Sequence, residues 1–281
     1  MPNSPACTRR CRSRTPASVA RIRRRDLAGY HQRFYQPANL VVAAAGPLSH
    51  RLLVEQVQAA LGGAAPGRVQ RFRRASHRQG RARVHCAVKE TEQTQAVLGF
   101  SAFPRRHPQI HGLNLLHVLL GGNMSSRLFH EVREVRGLAY EIGTSIKRYR
   151  DAGAFTISAG VEHRKLLQAL RVITQEVARI RRQPAAADEF ARAQEFYAAQ
   201  LSLMMEETVD QMLWLGESEM IFGHVDPLDL VLDDIRRVTP RDVLRVAREV
   251  LRPARLNLAV LGPLKPSVQA KVRALVHGAR P

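Results

Sequence analysis

The two ends of the chain repeat the same sequence pattern. Residues 22–62 align with residues 238–278 without a gap, at a constant offset of 216. The ten identical pairs are Arg25/Arg241, Asp26/Asp242, Pro37/Pro253, Ala38/Ala254, Leu40/Leu256, Ala43/Ala259, Gly46/Gly262, Pro47/Pro263, Leu48/Leu264 and Gly62/Gly278. Both segments give the same order of signals: a helix start, a Pro-Ala break, an apolar strand, a Gly-Pro-Leu turn and a second helix. A repeat of this length indicates a duplicated domain rather than a solenoid unit.

The two copies have unequal lengths of chain in front of them. Residues 84–237, which number 154, precede the second copy, whereas 21 residues precede the first. We therefore expect one whole domain with the tail of another before it. The predicted segments are a disordered Arg-rich leader at 1–21, the C-terminal remnant of a first domain at 22–63, a basic linker at 64–83 and a complete second domain at 84–281.

Local patterns predict an α+β fold. Short apolar strands are expected at 40–45, 84–88, 96–100, 140–147, 154–160 and 256–261, and helices at 25–35, 52–61, 111–120, 165–182 and 188–222. Because strands and helices alternate irregularly, the pattern favours a layered sandwich over a doubly wound parallel fold. We expect helices packed on a mostly antiparallel sheet. The apolar content of 45% is enough for a sizeable core.

The formal charge of +20 is concentrated in two short tracts. Residues 1–25 contain eight arginines and residues 64–83 contain seven, with no acidic residue in either tract. A basic nucleic-acid-binding protein is therefore one hypothesis. Base stacking on aromatic rings would help such a role, but Phe72 is the one aromatic residue in the tracts. The sequence thus disfavours nucleic acid as a partner.

The sequence shows no membrane-spanning segment, no secretory signal and no clear metal-ligand motif. It has no run of 18 uncharged apolar residues and no secretory signal, so we expect no membrane partner and favour the cytoplasm for the chain as given. Its three cysteines fit neither a disulfide framework nor a zinc knuckle. His107 and His111 are separated by Pro108 and have no nearby carboxylate, which argues against a metal site there. His117 is predicted to pack in the core.

The sharpest local string runs from Gly121 to Tyr140. It reads Gly-Gly-Asn-Met-Ser-Ser-Arg-Leu-Phe, then Glu-Val-Arg-Glu at 131–134 and Arg-Gly-Leu-Ala-Tyr at 136–140. A Gly pair before a helix start could bind an anion, but no Lys-Ser or Lys-Thr follows, so a Walker loop is excluded. A helix-to-helix turn is the simpler interpretation.

Together with Lys-Glu-Thr-Glu-Gln-Thr-Gln at 89–95 and Tyr-Gln-Pro-Ala-Asn-Leu at 35–40, this string resembles the M16 metallopeptidases. That family includes insulinase, pitrilysin and the mitochondrial processing peptidases, and the resemblance covers about residues 16–265. It implies repeated homologous α+β domains, in agreement with the duplication. In the family, the first domain holds zinc through a His-x-x-Glu-His motif and a downstream Glu, and the motif Glu acts as the general base.

The sequence contains neither His-x-x-Glu-His nor His-Glu-x-x-His. The resemblance therefore implies a second domain of the inactive type, with no catalytic residue, metal or cofactor of its own. Zinc is expected on a missing domain or on a partner. The implied partners are a peptide substrate and either a zinc-bearing M16 subunit or further copies of this chain.

The resemblance also assigns two substrate-binding residues. Peptide-cleaving members of the family use an Arg and a Tyr seven residues apart, and Arg133 and Tyr140 match that spacing and context. A guanidinium can bind a peptide carbonyl or carboxylate, and a Tyr hydroxyl can donate to a developing oxyanion. A non-catalytic assembly subunit, as in the core subunits of respiratory complexes, is the alternative; in that case the pair would be dispensable.

Overall fold

The computed structural model describes residues 16–69, 72, 74–76 and 79–278. It divides the chain into two compact units, residues 1–73 and 74–281. The division falls within the stretch 64–83. The predicted leader lies outside the described residues as far as residue 15, and Pro16–Val19 forms a four-residue helix.

Unit one consists of two helices joined by an extended segment. Helix α1 spans Arg24–Phe34, a 3₁₀ turn follows at Pro37–Asn39, and helix α2 spans His50–Leu61. The Asp26 carboxylate accepts a hydrogen bond from the Arg23 backbone N–H at 2.9 Å and so caps the start of α1. No described residue of this unit is fully buried.

The strand predicted at 40–45 does not form. Leu40 has extended backbone angles, but residues 40–45 pair with no strand among the described residues. A strand needs a neighbour to accept its backbone hydrogen bonds, and unit one supplies none. The apolar pattern is that of a sheet strand, but the described residues of this unit include no partner strand for it.

Unit two is built on a five-stranded sheet. The strands are β1 (Arg83–Val88), β2 (Thr94–Ala102), β3 (Ala139–Arg148), β4 (Gly153–Val161) and β5 (Asn257–Gly262). Their order across the sheet is β1-β5-β2-β4-β3. Only β1 and β5 are parallel, and the other three pairings are antiparallel. The predicted α+β class with a mostly antiparallel sheet is therefore confirmed.

Helices cover one face of this sheet. They are α3 (Ile110–Gly121), α4 (Leu166–Arg182), α5 (Ala187–Met204), α6 (Thr208–Phe222), α7 (Leu228–Arg237), α8 (Pro240–Val250) and α9 (Pro266–Gly278). Alternate residues of the central strands, such as Leu98, Ile157 and Leu258, point into the core between the two layers. The opposite face carries small and polar residues, as in the row Asn257, Gly99, Thr156 and Ser145.

One helix predicted from the sequence is divided into two helices in the structure. The sequence pattern predicts a single helix from 188 to about 222, but α5 ends at Met204 and α6 begins at Thr208. Glu207 between them has extended backbone angles. No described helix is long and apolar enough to cross a membrane.

Candidate functional site

The segment from Gly121 to Tyr140 begins with a turn between two helices. The Asn123 side-chain oxygen accepts a hydrogen bond from the Ser125 backbone N–H at 2.9 Å, and the buried Ser126 hydroxyl donates to the Asn123 carbonyl at 2.6 Å. A Cβ at Gly121 would lie 2.7 Å from the Thr144 methyl group, so this glycine lets α3 approach β3 closely. The Gly pair thus serves packing, as the simpler interpretation predicted.

A π-helix follows at Phe129–Glu134. The side chain of Val132 is buried and anchors the inward-facing side of the π-helix. Just before it, Arg127 donates two hydrogen bonds to the carboxylate of Glu189 on α5, at 2.6 and 2.7 Å. These bonds raise the pKa of the Arg127 guanidinium above its ordinary value. A wide π-helical turn held in this way is a feature often found at functional sites.

A short connection links the π-helix to β3. Gly137 has a positive φ of 54°, which favours glycine, and its N–H donates to the Arg133 carbonyl at 3.0 Å. Leu138 donates to the Val132 carbonyl at 2.8 Å. The pairing of β3 with β4 shifts register between Ala139 and Glu141, so Tyr140 stands out of the ladder. Its side chain is 77% exposed.

These elements bring the two predicted substrate-binding residues together. The guanidinium carbon of Arg133 lies 5.8 Å from the centre of the Tyr140 ring and 4.8 Å from the centre of the Phe129 ring. Contacts at this distance are cation–π interactions, which hold the guanidinium in place without using its N–H donors. Within the described part of the chain, no carboxylate lies within ion-pair distance of Arg133.

The geometry defines what the pair can do. An exposed guanidinium and a phenol side by side offer several hydrogen-bond donors to a carbonyl, a carboxylate or an oxyanion. Phe129 is the member of this group that the sequence interpretation missed. Its position four residues before Arg133 is the signal that could have found it, since residues four apart on a helix are neighbours.

His107 and His117 lie elsewhere in unit two, whereas the exposed His130 belongs to the π-helix. His107 stacks on Phe103 with ring centres 3.7 Å apart, and His117 is half-buried with Nδ1 at 2.6 Å from the Thr144 hydroxyl. Among the described residues, no three His, Cys, Asp or Glu side chains are grouped closely enough to hold a metal ion.

Comparison with known proteins identifies a family and several relatives of the chain. A family model described as the peptidase M16 inactive domain matches residues 21–197. An uncharacterized zinc protease of Streptomyces coelicolor is 37% identical over 251 residues. That alignment covers 87% of this chain and 53% of the Streptomyces protein, so the chain spans about half the length of this relative.

Two solved structures share the fold. The peptidase M16 inactive domain from Pseudomonas fluorescens superposes with a TM-score of 0.78 at 22% identity, covering 89% of this chain and 60% of that one. A chain of complex III₂ from Candida albicans gives a TM-score of 0.78 at 15% identity, covering 92% of this chain and 64% of that one. At these identities the likeness concerns the fold alone.

Proposed function

The chain belongs to the peptidase M16 inactive-domain family, and we propose that it is the substrate-contacting half of an M16 metallopeptidase. In this role Arg133 binds a carbonyl or carboxylate of the peptide, and the Tyr140 hydroxyl donates to the oxygen that gains negative charge. Hydrolysis would depend on a zinc-bearing domain supplied by another part of the protein or by a partner.

The single observation that carries this proposal is the pairing of Arg133 with Tyr140. Both side chains are exposed, and both stand at one end of β3 on rigidly anchored elements. Neither guanidinium nor hydroxyl is used by an internal hydrogen bond among the described residues. Donors that no internal hydrogen bond uses are available to a ligand, as a binding role requires.

The exposed apolar side chains of unit one support the need for further protein. We propose that residues 22–63 are the C-terminal part of a first M16-like domain, with 84–281 forming a second. Leu27 is 62% exposed, while Val243, its counterpart in the repeat, is 3% exposed. Leu40 is 43% exposed, while its counterpart Leu256 is 6% exposed. Positions that form the core in one copy are thus uncovered in the other.

The described residues do not fit a zinc ion. They contain no group of three suitable ligands, and the whole sequence lacks the His-x-x-Glu-His motif. We therefore assign no metal and no water-activating residue to this chain. Its proposed contribution is limited to binding and orienting the peptide and to donating hydrogen bonds.

Reconstitution tests this function. The chain is mixed with a zinc-bearing M16 domain that contains His-x-x-Glu-His, and cleavage of a quenched fluorescent peptide is followed. Arg133→Gln with Tyr140→Phe should lower kcat/KM by about 100-fold or more, because removal of oxyanion donors has effects of this size. The exposed Arg171→Gln on α4 is the matched charge control and should retain activity.

Two results would overturn the proposal. One is hydrolysis of the peptide by this chain alone with tightly bound zinc. The other is full activity of the double variant in a reconstituted complex that the wild-type chain activates.

A non-catalytic assembly subunit is the second candidate. The apolar surface of unit one, with Tyr30, Leu52 and Val54 exposed, suits burial against another protein. Under this alternative the double variant would still assemble, and neither it nor the wild-type chain would change peptide hydrolysis by the partner.

A further inference from the structure

Unit two contains a large cavity at the other end of β3. It has a volume of about 1160 Å³ and lies among the carboxyl end of β3 and helices α3, α5, α6 and α7. Cavities that hold small molecules have volumes of roughly 300–1,000 Å³, so this one has ample space. Much of its wall is apolar and includes Ile110, Val118, Ile146, Leu201, Met204 and Trp214.

One guanidinium in the cavity wall, that of Arg148, has no carboxylate within ion-pair distance among the described residues, although Glu217 attracts it from further away. Arg105 forms an ion pair with Glu217, and Arg237 Nη1 lies 3.1 Å from Asp234 Oδ1. Arg148 also lines the cavity, but no carboxylate oxygen lies within 4.0 Å of its guanidinium in the described part of the chain. An unpaired guanidinium against an apolar wall is unfavourable unless an anion joins it.

The buried Asn114 fixes the position of this guanidinium. Its side-chain oxygen accepts a hydrogen bond from Arg148 Nη1 at 3.1 Å, and its Nδ2 donates to the hydroxyl oxygen of Tyr197. That bond uses the Tyr197 oxygen as an acceptor, so its O–H remains a donor. Arg148 has five N–H donors, of which this network uses one. Both residues therefore present donors beside the same amide.

His111 is a further polar residue of the cavity wall, although its Nδ1 atom is occluded by the surrounding protein. His111 Nδ1 is buried and has no hydrogen-bond partner among the described residues. Burial lowers the pKa of His111, although Asp234 partly opposes this shift, so the ring is neutral near pH 7. Four acids line the cavity: Glu217 and Asp234, which pair with Arg105 and Arg237, Asp210 in the first turn of α6, and Asp226, whose Oδ1 lies 3.5 Å from His224 Nε2.

We propose that this cavity binds the free carboxylate of a small molecule that carries an apolar group. The two carboxylate oxygens accept hydrogen bonds from Arg148 and from the Tyr197 hydroxyl, and the apolar group packs against Met204 and Trp214. Such charge-assisted bonds are the stronger kind. A fatty acid and the free C-terminus of a short apolar peptide share this chemistry. The proposal does not depend on the function proposed for Arg133 and Tyr140.

The single tryptophan of the chain makes the test direct. Trp214 lines the cavity, so its fluorescence should change when a ligand enters. The full chain is titrated with decanoate and with acetylated trileucine that has a free C-terminus. Decanamide and the trileucine amide are the neutral controls. At least one acid should give a saturable change, and its amide should bind about 10-fold more weakly or worse, because it cannot form a charge-assisted pair.

Variants locate the carboxylate. Arg148→Gln should weaken binding of the acid by about 10- to 100-fold, and Tyr197→Phe should weaken it less. Arg241→Gln, an exposed arginine at the start of α8, should bind like the wild-type chain. If Arg148→Gln fails to fold, Arg148→Lys keeps the charge and the acid–amide comparison on the wild-type chain still decides the question.

The acid that binds identifies the source. Binding of decanoate alone supports a lipid-derived ligand, and binding of trileucine alone supports a peptide C-terminus. The proposal is overturned if neither acid gives a saturable change, if acid and amide bind equally, or if a folded Arg148→Gln binds the acid as tightly as the wild-type chain.

Discussion

At the scale of single residues, His117 owes its chemistry to its surroundings. Its ring lies between α3 and β3, and burial lowers its pKa, with Arg148 lowering it further. The folded protein therefore holds a neutral ring over a range in which the unfolded chain, with an ordinary pKa of about 6.5, takes up a proton. The sequence marked this residue as a core histidine, but only its neighbours set the direction of its titration.

Stability should therefore fall on acidification through this range. Between about pH 7.5 and about pH 5.5 the unfolded state binds more protons than the folded state, so the free energy of unfolding decreases. His111 adds to this effect, whereas Glu176, whose pKa is raised by burial, opposes it. His117→Gln should show a smaller decrease in urea denaturation at the two pH values. The exposed His277→Gln is the control, and equal decreases in both variants would contradict the argument.

At the scale of elements, close backbone approaches decide which glycines matter. Gly153 begins β4 and pairs with both Ala102 and Arg148. A Cβ at this position would lie 2.1 Å from the Phe103 carbonyl oxygen, which belongs to the backbone and cannot rotate away. Gly278 at the end of α9 has nothing within 4 Å of the same position.

Gly153→Ala should therefore destabilise the sheet, whereas Gly278→Ala should not. We expect a loss of about 1–3 kcal/mol for the first, as for other overpacked sites, and a change near zero for the second. Thermal unfolding followed by circular dichroism measures both. A Gly153→Ala protein with the Tm of the wild-type chain would show that the β3–β4 hairpin is looser than the structure indicates.

The elements also differ in how far sequence can predict them. The helix start at Thr239 is predictable because Asp242 caps it locally, through a 2.9 Å hydrogen bond from the Thr239 N–H. The break at 205–207 is not, because no Gly or Pro marks it. After this break, α6 forms part of the wall of the large cavity. Its position there depends on packing between segments that are distant in sequence. Local sequence rules do not predict the π-helix for the same reason. The Arg127 side chain just before it is held by Glu189, which is distant in sequence.

At the scale of the whole molecule, the hydrophobic core belongs to unit two. The cluster of buried residues and the apolar side chains packed on it begin at Ala82 and end at Val276, and include no described residue of unit one. The helices of unit one are amphipathic but cover no core of their own. A helix of this length gains most of its stability from packing and is marginal without it.

A fragment spanning residues 74–281 should therefore fold alone. We expect one cooperative unfolding transition, with a Tm within about 2–4 °C of the full chain, since a change of about 1 kcal/mol shifts a domain of this size by that amount. A fragment spanning 16–73 should show no cooperative transition. A 74–281 fragment that fails to unfold cooperatively, or a cooperative 16–73 fragment, would contradict this division of stability.

The site shows the same limit of sequence reasoning. The spacing of Arg133 and Tyr140, with the surrounding string, was enough to select both residues for substrate binding. Their juxtaposition with Phe129, however, depends on the π-helical turn, the left-handed Gly137 and the register shift at Ala139. The cavity around Arg148 was not predicted at all. Its walls come from segments between Arg105 and Arg237, which are 132 residues apart, and no local pattern connects them.

The sequence by itself determined the family, the α+β class and the positions of most strands and helices, because periodicity, caps and turns act over a few residues. It also determined the repeat of apolar positions at a fixed offset. Only the tertiary structure decided which of those positions are buried. Leu256 is buried just before β5, which runs between two neighbouring strands, whereas its counterpart Leu40 stands in a similar local sequence with no strand beside it among the described residues. Burial and strand pairing depend on partners that are distant along the chain. A local pattern indicates that a residue requires such partners but not whether they are present.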